Sequence, residues 1–243
     1  MCTLTYIPKK DGGFYMTHNR DEAVYRNDKN EPKKFIINDL AVVSPIDTES
    51  GGTWISIANN GTIACLLNGG FEKHKRELPY RHSRGVIIFD FFNYHGLHDF
   101  MVNYDLSNIE PFTMVIYHNE ELFEVVWDGE QKHLKKLDKT IPHIYSSTTL
   151  YNEEMKEERE NWFKSWISEV KSPNLTDILH FHKTAGAGNS DYGLVMQRGD
   201  ILRTVSIAGI ERSEKELNLI YENLVDKRIT KHRLKLKHQD FLV

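Results

Sequence analysis

The residues best suited to chemistry are Cys2, near the start of the chain, and the run Thr17-His18-Asn19-Arg20-Asp21-Glu22. Cys2 is small enough for the initiator methionine ahead of it to be trimmed, which leaves it with both a thiol and a free α-amine. Their ordinary pKa values, about 8.5 and about 8, let the amine serve as base for the thiol near neutrality. No histidine is then needed. Arg20 favours a thiolate or a developing oxyanion beside it, and Asp21 can orient the amine by accepting its N–H groups. The same residues also allow a plainer reading, a small buried cysteine in an edge strand beside a loop ion pair.

These groups need elements that bring them together. Cys2, Leu4 and Tyr6 alternate with Thr3, Thr5 and Ile7, which reads as a strand; residues 14–19 read as a second, after a turn containing Pro8, Gly12 and Gly13. A hairpin tip between Lys10 and Asp11 sets Cys2 opposite Asn19, with Arg20 and Asp21 just beyond. A second hairpin, residues 53–58 and 62–67 about Asn59-Asn60-Gly61, sets Thr53 opposite Leu67 and gathers Gly51, Gly52 and Asn68 at one end. Gly51 and Gly52 permit close backbone approach by a ligand, and the Asn68 amide can donate to an oxyanion. Equally, Asn68-Gly69 suits a strand-end turn of left-handed residues.

Further along, residues 35–37 and 40–43 read as short strands, and residues 71–81 as a polar loop able to cover the mouth of a site. Ser83 is placed to cap a helix carrying Val86, Ile87, Phe89 and Phe91, and a second helix spans residues 97–103. Strands follow at 112–117, 122–127, 133–137 and 141–147. Met155, Trp162, Phe163, Trp166 and Ile167 recur at helical spacing in an amphipathic helix over 151–170, with a shorter helix over 175–182. Residues 192–197 and 201–207 about Arg198-Gly199-Asp200 form a third expected hairpin. Residues 213–243 mix helix-like and strand-like stretches, with a basic bias over 227–237 that reads as solvated surface. Strand hairpins at both ends, with helices in two intervening regions, predict an α+β fold: two antiparallel sheets between helix layers.

The chain has 243 residues, 40% hydrophobic and 11% aromatic, enough to bury one large core, and a single domain over 1–243 is expected. A formal charge of -4 offers no basic excess for nucleic acid. The longest apolar run, residues 86–92, is too short to span a bilayer, and the N-terminus lacks the apolar stretch of a secretory signal. A cytoplasmic setting is expected. Cys2 and Cys65 have no metal spacing, and the pairs His95/His98 and His180/His182 lack a third ligand, so no metal site is expected. Gly186-Ala187-Gly188 lacks a phosphate-binding pattern.

The N-terminal Met-Cys-Thr-Leu, the tetrapeptide Asn19-Arg20-Asp21-Glu22, then Gly51-Gly52-Thr53-Trp54, Asn68-Gly69 and Ser83-Arg84-Gly85 stand in the order found in the NRDE family, also called the transport and Golgi organization protein 2 family, which the chain resembles over most of its length. That family in turn resembles N-terminal-nucleophile hydrolases of the choloylglycine hydrolase type. The resemblance implies a four-layer αββα sandwich, with Cys2 as nucleophile, Asp21 as amine partner and Asn68 at the oxyanion. It implies a substrate with a carbon-nitrogen bond, either small or lipid-like, and no required cofactor. His18, Asn19, Glu22, Gly51, Gly52 and Ser147 are expected in support of the site or its substrate. Two positions depart from the pattern: Ser147 stands where an Asn is usual, and Leu194-Val195 where a Thr-Arg is usual, which removes two polar contacts. His18 stands where choloylglycine hydrolases have Arg. What is said of the family also implies an alternative, a non-catalytic protein carrying haem, lipid or acyl-CoA in the same cavity. Cys2, His18 and His74 are then the candidate axial ligands.

Overall fold

A computed structural model describes residues 2–10, 12–26 and 31–237. The chain runs through β1 (Cys2–Pro8), β2 (Phe14–Ala23), β3 (Lys33–Ile37), β4 (Leu40–Ser44), β5 (Ile55–Ala58), β6 (Ile63–Asn68), α1 (Val86–Phe91) and α2 (Leu97–Asn103). It continues through β7 (Phe112–His118), β8 (Glu121–Trp127), β9 (Lys132–Leu137), β10 (His143–Ser146), α3 (Glu153–Glu169), α4 (Leu175–Thr184), β11 (Gln197–Arg198), β12 (Leu202–Arg212), β13 (Glu216–Asn223) and β14 (Ile229–Lys235). The first sheet has the order β10-β1-β2-β12-β13-β14, with β11 paired to β12, and the second runs β3 to β9 in sequence. All pairings are antiparallel.

Three apolar clusters hold the layers. Cys2, Leu4, Tyr6, Phe14 and Met16 of the first sheet meet Ile55, Ile57, Ile63, Cys65 and Val115 of the second. The other face of the second sheet is covered by Ile87, Ile88 and Phe91 of α1 and by Phe100 of α2. On the other face of the first sheet, Ile7 and Tyr15 meet Phe163 of α3 and Ile178 and Phe181 of α4. The result is the expected αββα sandwich. Period-two alternation alone sorts β1, its even residues to the inter-sheet core and its odd residues to the helices.

The first hairpin differs from the sequence expectation by one residue. Gly12 and Gly13, at φ 88° and 79°, extend the loop, and the Lys9 N–H donates to the Gly13 carbonyl at 3.1 Å. Pro8 therefore pairs with Phe14, Cys2 faces Arg20 and Thr3 faces Asn19. Arg20 and Asp21 lie inside β2, not past its end, because β12 pairs along the whole strand. The second hairpin has the expected register, Ile55 opposite Cys65. The third is shorter than expected: only Gln197 and Arg198 pair with β12 as a strand, and residues 192–195 turn and bend before Met196, whose carbonyl accepts from the Thr204 N–H at 2.9 Å. Ser83 does not cap α1, whose N-cap is Gly85; its hydroxyl instead accepts from the Gly85 N–H at 3.3 Å. Residues 216–223 and 229–235 are both strands, so the basic stretch there is the sheet's edge strand β14. The rest of that segment, 238–243, lies outside the described residues.

Candidate active site

Strand β2 distributes the tetrapeptide between two faces. Its even residues point between the sheets. Arg20 is buried there, with its guanidinium 3.8 Å from the centre of the Trp54 ring and Nη2 donating to Asp47 Oδ2 at 2.5 Å. Glu22 Oε2 lies 3.4 Å from the same nitrogen and 3.2 Å from Arg26 Nη1. Asp47 also accepts the Glu49 and Ser50 N–H groups, at 3.0 and 3.1 Å. Burial pushes the Glu22 and Asp47 carboxyls up, but Arg20, Arg26 and backbone donors outweigh it and leave both below the usual carboxylate range. Cys2, Arg20, Glu22, Arg26, Asp47, Trp54, Asn68 and Arg84 line one cleft of about 90 Å³. Cys2 is 2% exposed, and burial raises its thiol pKa, opposed first by the terminal ammonium, with Asp21 raising it further and Arg20 lowering it.

The odd residues point to the helices. Asn19 Nδ2 donates to the His182 carbonyl at 3.0 Å and the Leu194 carbonyl at 2.7 Å, while its Oδ1 lies 2.6 Å from His182 Nδ1. Asn19 thereby ties α4 and the loop after it to the sheet. Asp21 is fully buried; Oδ2 accepts from the Tyr151 hydroxyl and Oδ1 from the Thr204 hydroxyl, both at 2.7 Å. A bulge in β12 between Thr204 and Ser206 aims Thr204 there. Burial raises the Asp21 pKa against the opposing effects of Arg159, Thr204 and Tyr151. The β1–β2 register ends at Cys2 opposite Arg20, so Asp21 is the β2 residue level with the amino end of Cys2.

Asn68 closes β6. Its carbonyl accepts from the Ser147 hydroxyl at 2.7 Å, and its side-chain amide has no hydrogen-bond partner among the described residues. The left-handed residue at this turn is Gly69 alone, at φ 92°, where a Cβ would lie 2.0 Å from Thr148 Oγ1. Ser147 also donates its N–H to the Cys2 carbonyl at 3.0 Å. Gly52 lines the cleft, but its missing Cβ serves packing, since it would sit 2.6 Å from the Gly85 carbonyl carbon. Gly51 does not line the cleft; it is a turn residue at φ 69°. His18 is completely buried, its ring pushed down to about 3 by burial, and neither ring nitrogen makes a well-formed hydrogen bond among the described residues. His74 Nε2 lies 3.2 Å from Glu110 Oε1, the carboxylate that also holds Arg84 at 3.2 Å.

Sequence reasoning missed Asp47, Tyr151, Thr204 and Arg159. Asp47 stood in a loop with no pattern, and Tyr151 and Thr204 converge only through the fold. Arg159 did carry a signal: it lies four residues from both Met155 and Phe163, on the apolar stripe of α3.

The family model described as Transport and Golgi organisation 2 matches residues 1–198. The chain belongs to this family. A sequence search of curated proteins gave no match. Among solved structures, the C2A mutant of the conjugated bile acid hydrolase from Clostridium perfringens has a TM-score of 0.61 at 11% identity, covering 98% of this chain and 97% of that one. The Caenorhabditis elegans ortholog of N-acylethanolamine-hydrolyzing acid amidase has a TM-score of 0.57 at 11% identity, covering 86% and 92%. Both are N-terminal-nucleophile hydrolases, and at these identities the family member shares their fold.

Proposed function

We propose that the protein is a cysteine N-terminal-nucleophile amidohydrolase acting on a small amide. The observation that carries this reading is that Cys2, Arg20 and Asn68 line one cleft while Asp21 stands level with the amino end of Cys2. With Met1 removed, the α-amine takes the thiol proton as sulfur attacks the amide carbon. The carbonyl oxygen, now anionic, accepts from the Asn68 amide. The α-ammonium then gives its proton to the departing amine, and water hydrolyses the resulting thioester to release the acid. Asp21 holds the amine in line. Arg20, fixed by Asp47, Glu22 and Trp54, favours the charge that develops at sulfur and oxygen. Neutral thiol is the resting state, because burial raises its pKa, so attack depends on the amine.

The cleft volume of about 90 Å³ favours a small substrate over a lipid-like one, since sites for drug-sized ligands run to roughly 300–1,000 Å³. The same volume and the complete burial of His18 speak against carriage of haem at this cleft. One solved neighbour is described as a conjugated bile acid hydrolase and the other as an N-acylethanolamine-hydrolyzing acid amidase, and the second description in particular supports carbon-nitrogen cleavage. The test is turnover of a panel of small amides by protein whose intact mass confirms an N-terminal cysteine, beside Cys2→Ala. Release of amine by the first and not the second is expected; equal turnover by both, or retention of Met1 in active protein, overturns the mechanism.

A further inference from the structure

Arg159, on α3, is the largest fully buried side chain among the described residues. Each of its nitrogens is committed: Nε donates to the Tyr192 carbonyl at 2.9 Å, Nη2 to the Gly193 carbonyl at 3.0 Å and Nη1 to Thr3 Oγ1 at 2.6 Å. No carboxylate is in direct contact with it among the described residues. Its guanidinium instead lies 3.5 Å from the centre of the Tyr151 ring, whose hydroxyl donates to Asp21 Oδ2. Asp21 is likewise buried without a cation in direct contact among the described residues, its two hydrogen bonds there coming from neutral hydroxyls. A buried guanidinium and a buried carboxylate are each costly alone. Here they lie one aromatic ring apart, and Arg159 is the charge that does most to favour the ionised carboxylate. That placement needs an explanation which packing does not give, because an apolar residue at this point of the α3 stripe would cover the sheet without burying a charge.

We infer that Arg159 is a positioning residue for Asp21: through the Tyr151 ring stacked on it, the guanidinium holds the Asp21 carboxylate charged and aimed at the amino end of Cys2. This rests on the amine-holding role given to Asp21 above. The groups facing Asp21 from the elements packed on it are Tyr151 ahead of α3, Arg159 in α3 and Thr204 in β12, with the amino end of Cys2 level with it in β1. On α4, His182 feels the charge of Arg159 and is kept neutral chiefly by burial, which pushes its pKa down to about 3. Arg20 and Glu22, the neighbours of Asp21 along β2, point to the other face of the strand. The carboxylate raises the pKa of the Cys2 thiol, so losing its charge lowers the pH at which Cys2 becomes reactive. Removing a positive charge that acted directly on the thiol would do the reverse. The sign of the change therefore separates the two.

The experiment is the pH profile of iodoacetamide alkylation at Cys2, followed by peptide mass on protein with a confirmed N-terminal cysteine. Wild type is compared with Asp21→Asn, Arg159→Met, Arg159→Lys and the Asp21→Asn/Arg159→Met double variant. Asp21→Asn is expected to lower the midpoint by about one pH unit. Arg159→Met should lower it in the same direction by roughly half a unit or more and add nothing in the Asp21→Asn background. Arg159→Lys, which keeps the charge, should stay near wild type. A raised midpoint for Arg159→Met, an effect that persists without Asp21, or lost thermal stability with an unmoved midpoint overturns the inference. An unmoved midpoint in Asp21→Asn overturns the role of Asp21 itself, a distinct failure. Should Arg159→Met not fold, Tyr151→Phe removes the intervening hydroxyl and must lower the midpoint in the same Asp21-dependent way; an unchanged profile overturns the proposal.

Discussion

The two faces of β2 bury charge in different ways. Between the sheets, Arg20 is neutralised by direct contact with Asp47 and Glu22 and lies against Trp54 at the edge of a cleft. Toward the helices, Asp21 and Arg159 face each other only through Tyr151, and Asn19 uses its amide to fix α4 and the loop after it. The difference teaches that consecutive residues of one tetrapeptide do separate work: alternation sends Arg20 and Glu22 to the cleft, and Asn19 and Asp21 to the support behind it. One residue of register decides which is which, since a slip exchanges the faces.

The comparison can be broken most visibly with acid. Each face holds one neutral histidine, His18 between the sheets and His182 under α4, both pushed down to about 3 by burial. Such a ring takes up a proton at ordinary pH only when the chain unfolds, so falling pH favours the unfolded state. The stability it contributes is whole above pH ~6.5, declines by ~1.4 kcal/mol per unit below that, and is gone near pH 3. Denaturant titrations should show a loss of about 2 kcal/mol per histidine between pH 7 and pH 5. Replacing either histidine with an uncharged residue should remove about 2 kcal/mol of that loss, and an unchanged slope would mean that the ring is not neutral in the fold.

Asn19→Ala comes next. It unties two carbonyls and leaves His182 Nδ1 unpaired in the core, a loss of about 3 kcal/mol by urea denaturation. Arg20→Lys, on the other face, should cost less, about 1–2 kcal/mol, because an ammonium still meets Asp47 but no longer lies flat on Trp54. If Arg20→Lys proves the more damaging, the helix face is not the structural one.

How much of this was legible beforehand follows from the range of each signal. Alternation and helical spacing are local, and they placed β1, α2, β7, β8 and the Asn60 hairpin well. The first register failed by one because loop length depends on Gly12 and Gly13 together taking left-handed conformations, which a midpoint rule does not include. Cys2, Arg20 and Asn68 do line one cleft, while Gly51 stays outside it. Asp47, Tyr151 and Thr204 reach the site from loops or strands distant in sequence. Arg159 was overlooked because a charge within an amphipathic helix reads as solvent-facing, even though its spacing from Met155 and Phe163 places it inside.

The smallest effect tests the tie between the two faces' sheets. Ser147 joins the end of β6 to the start of β1, its hydroxyl on the Asn68 carbonyl and its N–H on the Cys2 carbonyl. Ser147→Ala removes only the first of these and leaves the backbone bond to Cys2 in place. One buried hydroxyl bond is worth ~1 kcal/mol, so the midpoint in urea should fall slightly. The Asn68 side-chain amide does not depend on that bond, because the hydroxyl meets the main-chain oxygen, and the pH profile of Cys2 alkylation should stay at its wild-type midpoint. Movement of that midpoint would show that Ser147 controls the cleft as well as the seam, and the division of β2 into a working face and a supporting face would then extend across the sheets.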